Sequence, residues 1–422
     1  MQKLNSRVTD SVNFFQGNDP TQLTEQFGSP LYVYNERIIR ERCREIKNLV
    51  SYPKFHVNYS AKANSNLAFL QIVRSEGLFA DAMSSGEIMV ELEAGFTPEE
   101  IFFVCNNVSR EEMKFAHDRG ILTSLDSLAQ LDMFGETCPG SDVAIRVNSG
   151  FGAGHHEKVI TGGKATKFGI DPDDIPGVDE VLKKHSLKLV GINQHIGSLF
   201  MDAETYIKGA EMLISIASNF DSLEFIDLGG GLGIPYRKQE NQPRLPLAEL
   251  EERLSEFMNG FSRQYGRQLT FCLEPGRYIS AESAVLLGTV HSVKMNYGNK
   301  YIGTDLGFTV LLRPTMYDSH HDIEVYRASN RTSSYDEVVS VVGNICESGD
   351  YIAKNRRLPE VFVDDVLGVL DAGAYGHVMS SNYNNRLRPA EILIREDNSV
   401  VVTRERDNFD DILRKFRKLS NV

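Results

Sequence analysis

Residues 55–66, FHVNYSAKANSN, read as a strand that ends at a lysine. Phe55, Val57, Tyr59 and Ala61 alternate with His56, Asn58, Ser60 and Lys62, so one face is mostly apolar and the other polar. Lys62 closes the polar face between Ala61 and Ala63. The ordinary fate of such a residue is to snorkel at a strand end. A desolvated lysine among small residues instead has a lowered pKa and can form a Schiff base.

Outward from that strand, eight short apolar runs lie between Phe55 and Glu274: FHVNYSA, LFADAM, IFFVC, ILTSL, VAIRVN, LVGINQH, FIDLGG and TFCLE. Helix-like segments separate them. Ser84 with Glu87, and Ser109 with Glu112, have capping-box spacing, and Gly77, Gly95 and Gly120 stand where helices should stop. Eight strands alternating with helices predict an α/β fold, a (β/α)8 TIM-type barrel. After Arg277 the runs LLGTVHSVK, YIGTDLG, DIEVY, EVVSVVG, VFVDDVLGVLDAG, EILIRE and SVVVTRE predict a C-terminal all-β, Greek-key-like domain. NFDDILRKFRKL reads as a closing amphipathic helix. The expected division is 1–30 as a segment packing on the β domain, 31–280 as the barrel, and 281–422 as the β domain. Two insertions that follow strands, GFGAGHHEKVITGGKATKFG and GIPYRKQENQPRLP, are expected over the top of the barrel.

The bulk properties exclude several function classes. A net charge of −13 over 422 residues argues against nucleic acid and anionic membrane surfaces as partners. Charges break every long apolar run, so no membrane helix is expected. The N-terminal residues MQKLNSRVTDSVNFFQ contain no apolar signal core, which implies a cytoplasmic protein. The five cysteines form no CxxC pair, so neither a zinc knot nor a disulfide framework is indicated. Each reads as a small buried hydrophobe, Cys346 beside Glu347 included. The adjacent His155 and His156 would diverge along a strand, so no metal is expected there.

Chemistry in such a barrel gathers at the C-terminal strand ends. Strand counting puts Lys62, Asp81, Arg146, Asn148, His195, the glycine triplet 229–231 and Glu274 there, running on to Arg277. The triplet suits either a phosphate, through close approach of backbone amides, or a tight turn. It lacks the Gly-Lys-Ser/Thr of a P-loop and the spacing of a dinucleotide fingerprint. Lysine, glycine loop and strand-end acid together suggest pyridoxal phosphate, with the acid pairing the pyridinium nitrogen. Glu274 suits that role. His195 could stack on the ring or be a satisfied core histidine.

The motifs YSAKANSN, HIGS, DLGGGLG, EPGRYI, RPTMY, CESGD and GAYGHVMSSNYNNRLRPAE follow in an order that identifies a family. The chain resembles the fold-type III pyridoxal-phosphate decarboxylases, most closely the diaminopimelate decarboxylase branch, over nearly its whole length. The resemblance implies that Lys62 is the Schiff-base lysine, that His195 covers the cofactor face, and that Asp81 supports the site beside it. Ser198, Gly230, Gly231 and the 274–277 segment, with Gly276 and Arg277, would hold phosphate and ring. Glu274 would bind the pyridine nitrogen, and Tyr375 would contact the phosphate and the substrate. Cys346 would return a proton to the α-carbon, and Glu347 would read the far ammonium of the substrate. In the family these two residues enter the other subunit's site, which implies a head-to-tail homodimer with shared active sites. Arg277, Arg313 and Tyr317 would hold a distal carboxylate.

The implied activity is decarboxylation at the D-centre of a diamino acid, meso-2,6-diaminopimelate giving L-lysine and CO2. Three departures, Asn148-Ser149 where the family usually has Asn-Pro, the unusually glycine-rich loop GFGAGHHEKVITGGKATKFG, and Asn344 where proline is common, flank the substrate mouth. They keep decarboxylation of D-ornithine or D-lysine, giving putrescine or cadaverine, as the alternative. A non-catalytic cofactor carrier and an alanine racemase relative fit less well, because neither needs CESGD.

Overall fold

The computed structural model describes residues 7–154, 161–163, 166–327 and 335–419. His155 and His156 lie outside them. Contacts divide the chain into two units.

One unit, Ile39–Pro235 with Arg244–Ser280, is the barrel. Its eight strands are Phe55–Ser60, Phe79–Ala82, Ile101–Val104, Leu122–Leu125, Asp142–Arg146, Lys188–Asn193, Phe225–Asp227 and Thr270–Leu273. Each is parallel to the next, and the eighth pairs with the first to close the ring. Local chemistry sets the helices between them. Asn66 caps Leu67–Ser75 by accepting from the amides of Ala68 and Phe69. Ser109 and Glu112 make the reciprocal capping box of Arg110–His117. At Ser85–Ala94 only half of the expected box forms: Ser84 accepts from the Glu87 amide, but the Glu87 carboxylate takes the amide of Met83 instead. Gly95 ends that helix in the left-handed conformation.

The barrel interior is apolar in one layer and polar in another. Phe102, Val104 and Ala144 form a cluster with Met83, Leu122 and Phe225. Asn58 on the first strand donates to Asp227 on the seventh at 3.1 Å, and Ser124 on the fourth donates to Asn193 on the sixth at 2.6 Å. Neither pair sits on neighbouring strands, so both bonds cross the interior. The polar face of residues 55–62 therefore points into the barrel.

The other unit comprises residues up to Ile38, Tyr236–Pro243, and those from Ala281 on. Its nine-stranded sheet runs Tyr351–Pro359, Asp336–Val342, Asn299–Thr304, Ala284–Asn296, Leu31–Asn35, Ala390–Ile394, Val400–Arg404; Val366–Val369 pairs with both Ala284–Asn296 and Ile323–Tyr326. It is mostly antiparallel, with parallel pairs at Leu31–Asn35 with Ala390–Ile394 and at Asn299–Thr304 with Asp336–Val342. Phe14, Phe15, Leu23, Leu31, Val33, Val285, Leu287 and Ile392 build its core.

Four expectations need correction. Residues 31–38 belong to the sheet unit, because Leu31–Asn35 pairs on both edges there. The insertion segment Tyr236–Pro243 also belongs to the sheet unit and not to the barrel. Tyr351–Pro359 is a strand that the sequence hid behind Lys354, Arg356 and Arg357. The closing helix spans only Phe409–Leu413, and Phe409, Leu413 and Phe416 are exposed. Among the described residues no helix is long and apolar enough to cross a membrane, and no group of His, Cys, Asp and Glu could hold a metal ion.

Candidate active site

At the C-terminal end of the first barrel strand the chain turns through a short 3-10 segment, Ala61–Ala63, which carries Lys62. Its Nζ lies 3.9 Å from Oδ2 of the buried Asp81 at the end of the second strand. Ser60 donates to the same Asp81 oxygen at 2.8 Å and approaches the Glu274 carbonyl oxygen at 3.1 Å. One hydroxyl thus ties the first, second and eighth strand ends together.

Three acids share this rim with two cations, and burial dominates their titration. Burial raises the Asp81 carboxyl, opposed by Lys62, Ser60 and Arg146. Burial pushes Asp227 up to about 7, although the Gly229 amide and Asn58 donate to it. Glu274 goes well above the usual carboxylate range, through burial first and then the neighbouring Asp227 and Asp81. His195 falls well below its ordinary value, through burial, Lys62 and Arg146, so its ring is neutral. The Gly230 amide donates to His195 Nδ1 at 3.2 Å, which leaves the ring proton on Nε2.

The glycine loop is a close-packed cradle. A Cβ at Gly230 would lie 2.0 Å from the Glu274 carbonyl oxygen, and Gly231 has φ +104°. Tyr206 donates to the Gly229 carbonyl at 2.7 Å. Ser198 accepts from Arg277 Nη2 at 2.9 Å and Nε at 3.3 Å, beside the tight turn at Gly276.

The donor set fits pyridoxal phosphate. Glu274 Oε1 is buried without a hydrogen-bond partner, and a protonated pyridine nitrogen is the group that would satisfy it. Lys62 offers an amine, His195 a neutral ring, and the loop a backbone cradle.

The remaining expected residues lie in the sheet unit. Arg313 is buried at the start of the short helix Arg313–Tyr317, with Tyr317 half-buried at its end. Tyr375 is half-buried with φ +55°. Cys346 is exposed, in contrast to the buried Cys43, Cys105, Cys138 and Cys272, which corrects the reading of it as a structural cysteine. Its amide donates to Asn384 Oδ1 at 2.8 Å, and Arg386 donates to the Asn344 carbonyl at 2.7 Å. Exposed Glu347 accepts from the Gly349 amide at 3.1 Å. Ser60, Asp227, Tyr206 and Asn384 escaped the sequence reading. Ser60, Asp227 and Asn384 stand inside the motifs YSAKANSN, DLGGGLG and GAYGHVMSSNYNNRLRPAE, so all three were discoverable; Tyr206 carries no local signal.

These features define a pyridoxal-dependent enzyme. Residues 36–281 match the family model described as pyridoxal-dependent decarboxylase, pyridoxal binding domain, and the chain belongs to that family. It is a carboxy-lyase with pyridoxal phosphate as cofactor. Within the family it is 43% identical to the diaminopimelate decarboxylase of Methanothermobacter thermautotrophicus, over 94% of each chain. A crystal structure of a diaminopimelate decarboxylase superposes with a TM-score of 0.88 at 32% identity, covering 98% of this chain and 99% of that one. The Helicobacter pylori diaminopimelate decarboxylase complexed with L-lysine gives a TM-score of 0.85 at 30% identity, covering 93% and 98%.

Proposed function

We propose that the chain decarboxylates meso-2,6-diaminopimelate at its D-centre, yielding L-lysine and CO2. The observation that carries this reading is Arg313, a buried guanidinium in the sheet unit. Paired guanidinium donors match a carboxylate, and neither D-lysine nor D-ornithine has a distal one to offer. The names of the relatives support the same substrate.

Bound pyridoxal phosphate supplies the electron sink for the pair left when the α-carboxylate departs. Lys62 holds the cofactor, and Glu274 keeps a proton on the pyridine nitrogen. His195, neutral and fixed by Gly230, covers one face. Asp81 orients Lys62. Gly230, Gly231, Ser198, Gly276, Arg277 and Tyr375 serve phosphate and ring. Arg277, Arg313, Tyr317 and Tyr375 bind the substrate. Cys346 delivers the proton to the α-carbon, and Glu347 takes the distal ammonium. We further propose that these last two serve the other subunit of a head-to-tail homodimer, and that the enzyme works in the cytoplasm; the family resemblance supports both.

The test is an assay of the purified enzyme with meso-diaminopimelate, D-lysine and D-ornithine. Lysine and CO2 from the first substrate are expected. Turnover of the other two alone would overturn the reading.

A further inference from the structure

The Arg313 guanidinium has a built seat inside the sheet unit. Its Cζ lies 4.6 Å from the centroid of the Tyr236 ring, and its Nη1 lies 2.7 Å from His321 Nε2. The rings of Tyr236 and His321 meet edge-on, 5.2 Å apart at 76°. All three side chains are buried, Arg313 at 2%, His321 at 1% and Tyr236 at 5% exposure.

The imidazole has only one workable tautomer. His321 Nδ1 lies 2.7 Å from the Leu370 carbonyl oxygen, which can only accept. Nδ1 therefore carries the proton, and Nε2 presents its lone pair to the guanidinium. A carbonyl on Val366–Val369's continuing chain thus sets, through one ring, the direction of an arginine 57 positions earlier in sequence (370 − 313).

Tyr236 arrives from the insertion that left the barrel for the sheet unit. That segment is anchored just beyond the tyrosine. Lys238 Nζ lies 2.8 Å from Glu282 and 2.5 Å from Asp371, and the Gln239 amide donates to Asp322 Oδ2 at 2.9 Å. Asp371 directly follows Leu370, so one stretch of chain holds both the insertion and His321. An arginine seated on a ring face and a fixed acceptor loses little freedom on meeting a carboxylate, which is how preorganisation raises affinity.

Resting on the assignment of Arg313 to the distal carboxylate, we propose that His321 and Tyr236 are positioning residues that aim Arg313 and so set the preference for ligands carrying that carboxylate. L-lysine retains the distal carboxylate of the substrate, and cadaverine lacks it, so the pair isolates the interaction.

The test titrates the holoenzyme with L-lysine and with cadaverine, read by cofactor absorbance, in the unaltered chain and in His321→Leu and Tyr236→Leu. The unaltered enzyme should prefer L-lysine. Each variant should lose about tenfold or more of that preference, as expected when a charge-assisted contact is misaligned. With meso-diaminopimelate, KM should rise while kcat changes by less than about threefold, the signature of lost ground-state and transition-state binding together. His321→Gln, which keeps an acceptor, should recover part of the loss, and it carries the test if His321→Leu fails to fold. An unchanged preference in the variants, or equal weakening toward both ligands, would overturn the proposal. Absence of meso-diaminopimelate turnover with the ligand preference intact would instead overturn the functional reading alone.

Discussion

The backbone amide of Gly230 donates to Nδ1 of His195 at 3.2 Å. The glycine loop and the His195 ring are therefore one construction. A methyl group at residue 230 would press on the Glu274 carbonyl and come within 3.5 Å of His195 Cε1. Gly230→Ala should weaken cofactor retention about tenfold or more, measured by absorbance after dialysis. Full cofactor occupancy would contradict this account of the loop.

Glu274→Gln replaces an acid by an amide that cannot hold a protonated pyridine nitrogen by charge. We expect kcat to fall about a hundredfold, roughly 2.7 kcal/mol. The cofactor-free variant should melt higher than the cofactor-free parent, because a carboxyl group raised by burial costs stability once it ionises. Steady-state kinetics and thermal melts decide both parts.

Asp227 gives the pH dependence. Its carboxyl titrates near 7 in the folded state against 3.8 ordinarily. Between those values the native protein holds a proton that the unfolded chain has released. Asp227 by itself should therefore lower the stability of the cofactor-free protein as pH rises from about 4 to about 7, by at most roughly 1.4 kcal/mol per pH unit, with Asp81 and Glu274 adding in the same direction. Asp227→Asn should flatten that slope in denaturant titrations across the range.

Cys346 is exposed while the other four cysteines are buried. Brief iodoacetamide treatment should label one thiol per chain, none in Cys346→Ser, and should abolish activity. Asn384→Ala, which frees the Cys346 amide, should lower kcat about tenfold. A labelled enzyme with full activity would remove Cys346 from the chemistry.

Lys238 is the cation between two buried carboxylates, Glu282 and Asp371. Lys238→Met should cost about 3–5 kcal/mol in urea unfolding, the usual penalty for stranding buried charge. Adding Glu282→Gln and Asp371→Asn should return much of it.

The barrel was legible because its strands are short apolar runs bounded by caps and glycines, a pattern that needs no distant information. The positions of the rim residues were legible for a related reason: alternation put Ser60 and Lys62 on one face, and strand counting aligned that face with Asp81, His195 and Glu274. The sheet unit was harder. LYVYN looks like an opening strand of whatever follows, and only long-range pairing with Ala284–Asn296 and Ala390–Ile394 assigns it. YIAKNRRLP hides a strand because Lys354, Asn355 and Arg357 are exposed, and Arg356 takes an inner position by donating to the His321 carbonyl. The seat of Arg313 was invisible because Tyr236 lies 77 positions away in sequence (313 − 236).

The placement of Leu31–Asn35 has a consequence for how the protein is made. Leu31 pairs with Leu287 on one edge and Ala390 on the other. At about 5–20 residues per second, a ribosome needs roughly 13–50 s after making Leu31 to supply its first neighbour. Through that interval the barrel sequence emerges and can fold, while an apolar strand made earlier waits with both edges open. The second neighbour comes only near the end of translation. The oldest strand of the sheet is thus among the last to have both edges covered, and guarding it from foreign edges falls to whatever attends the nascent chain.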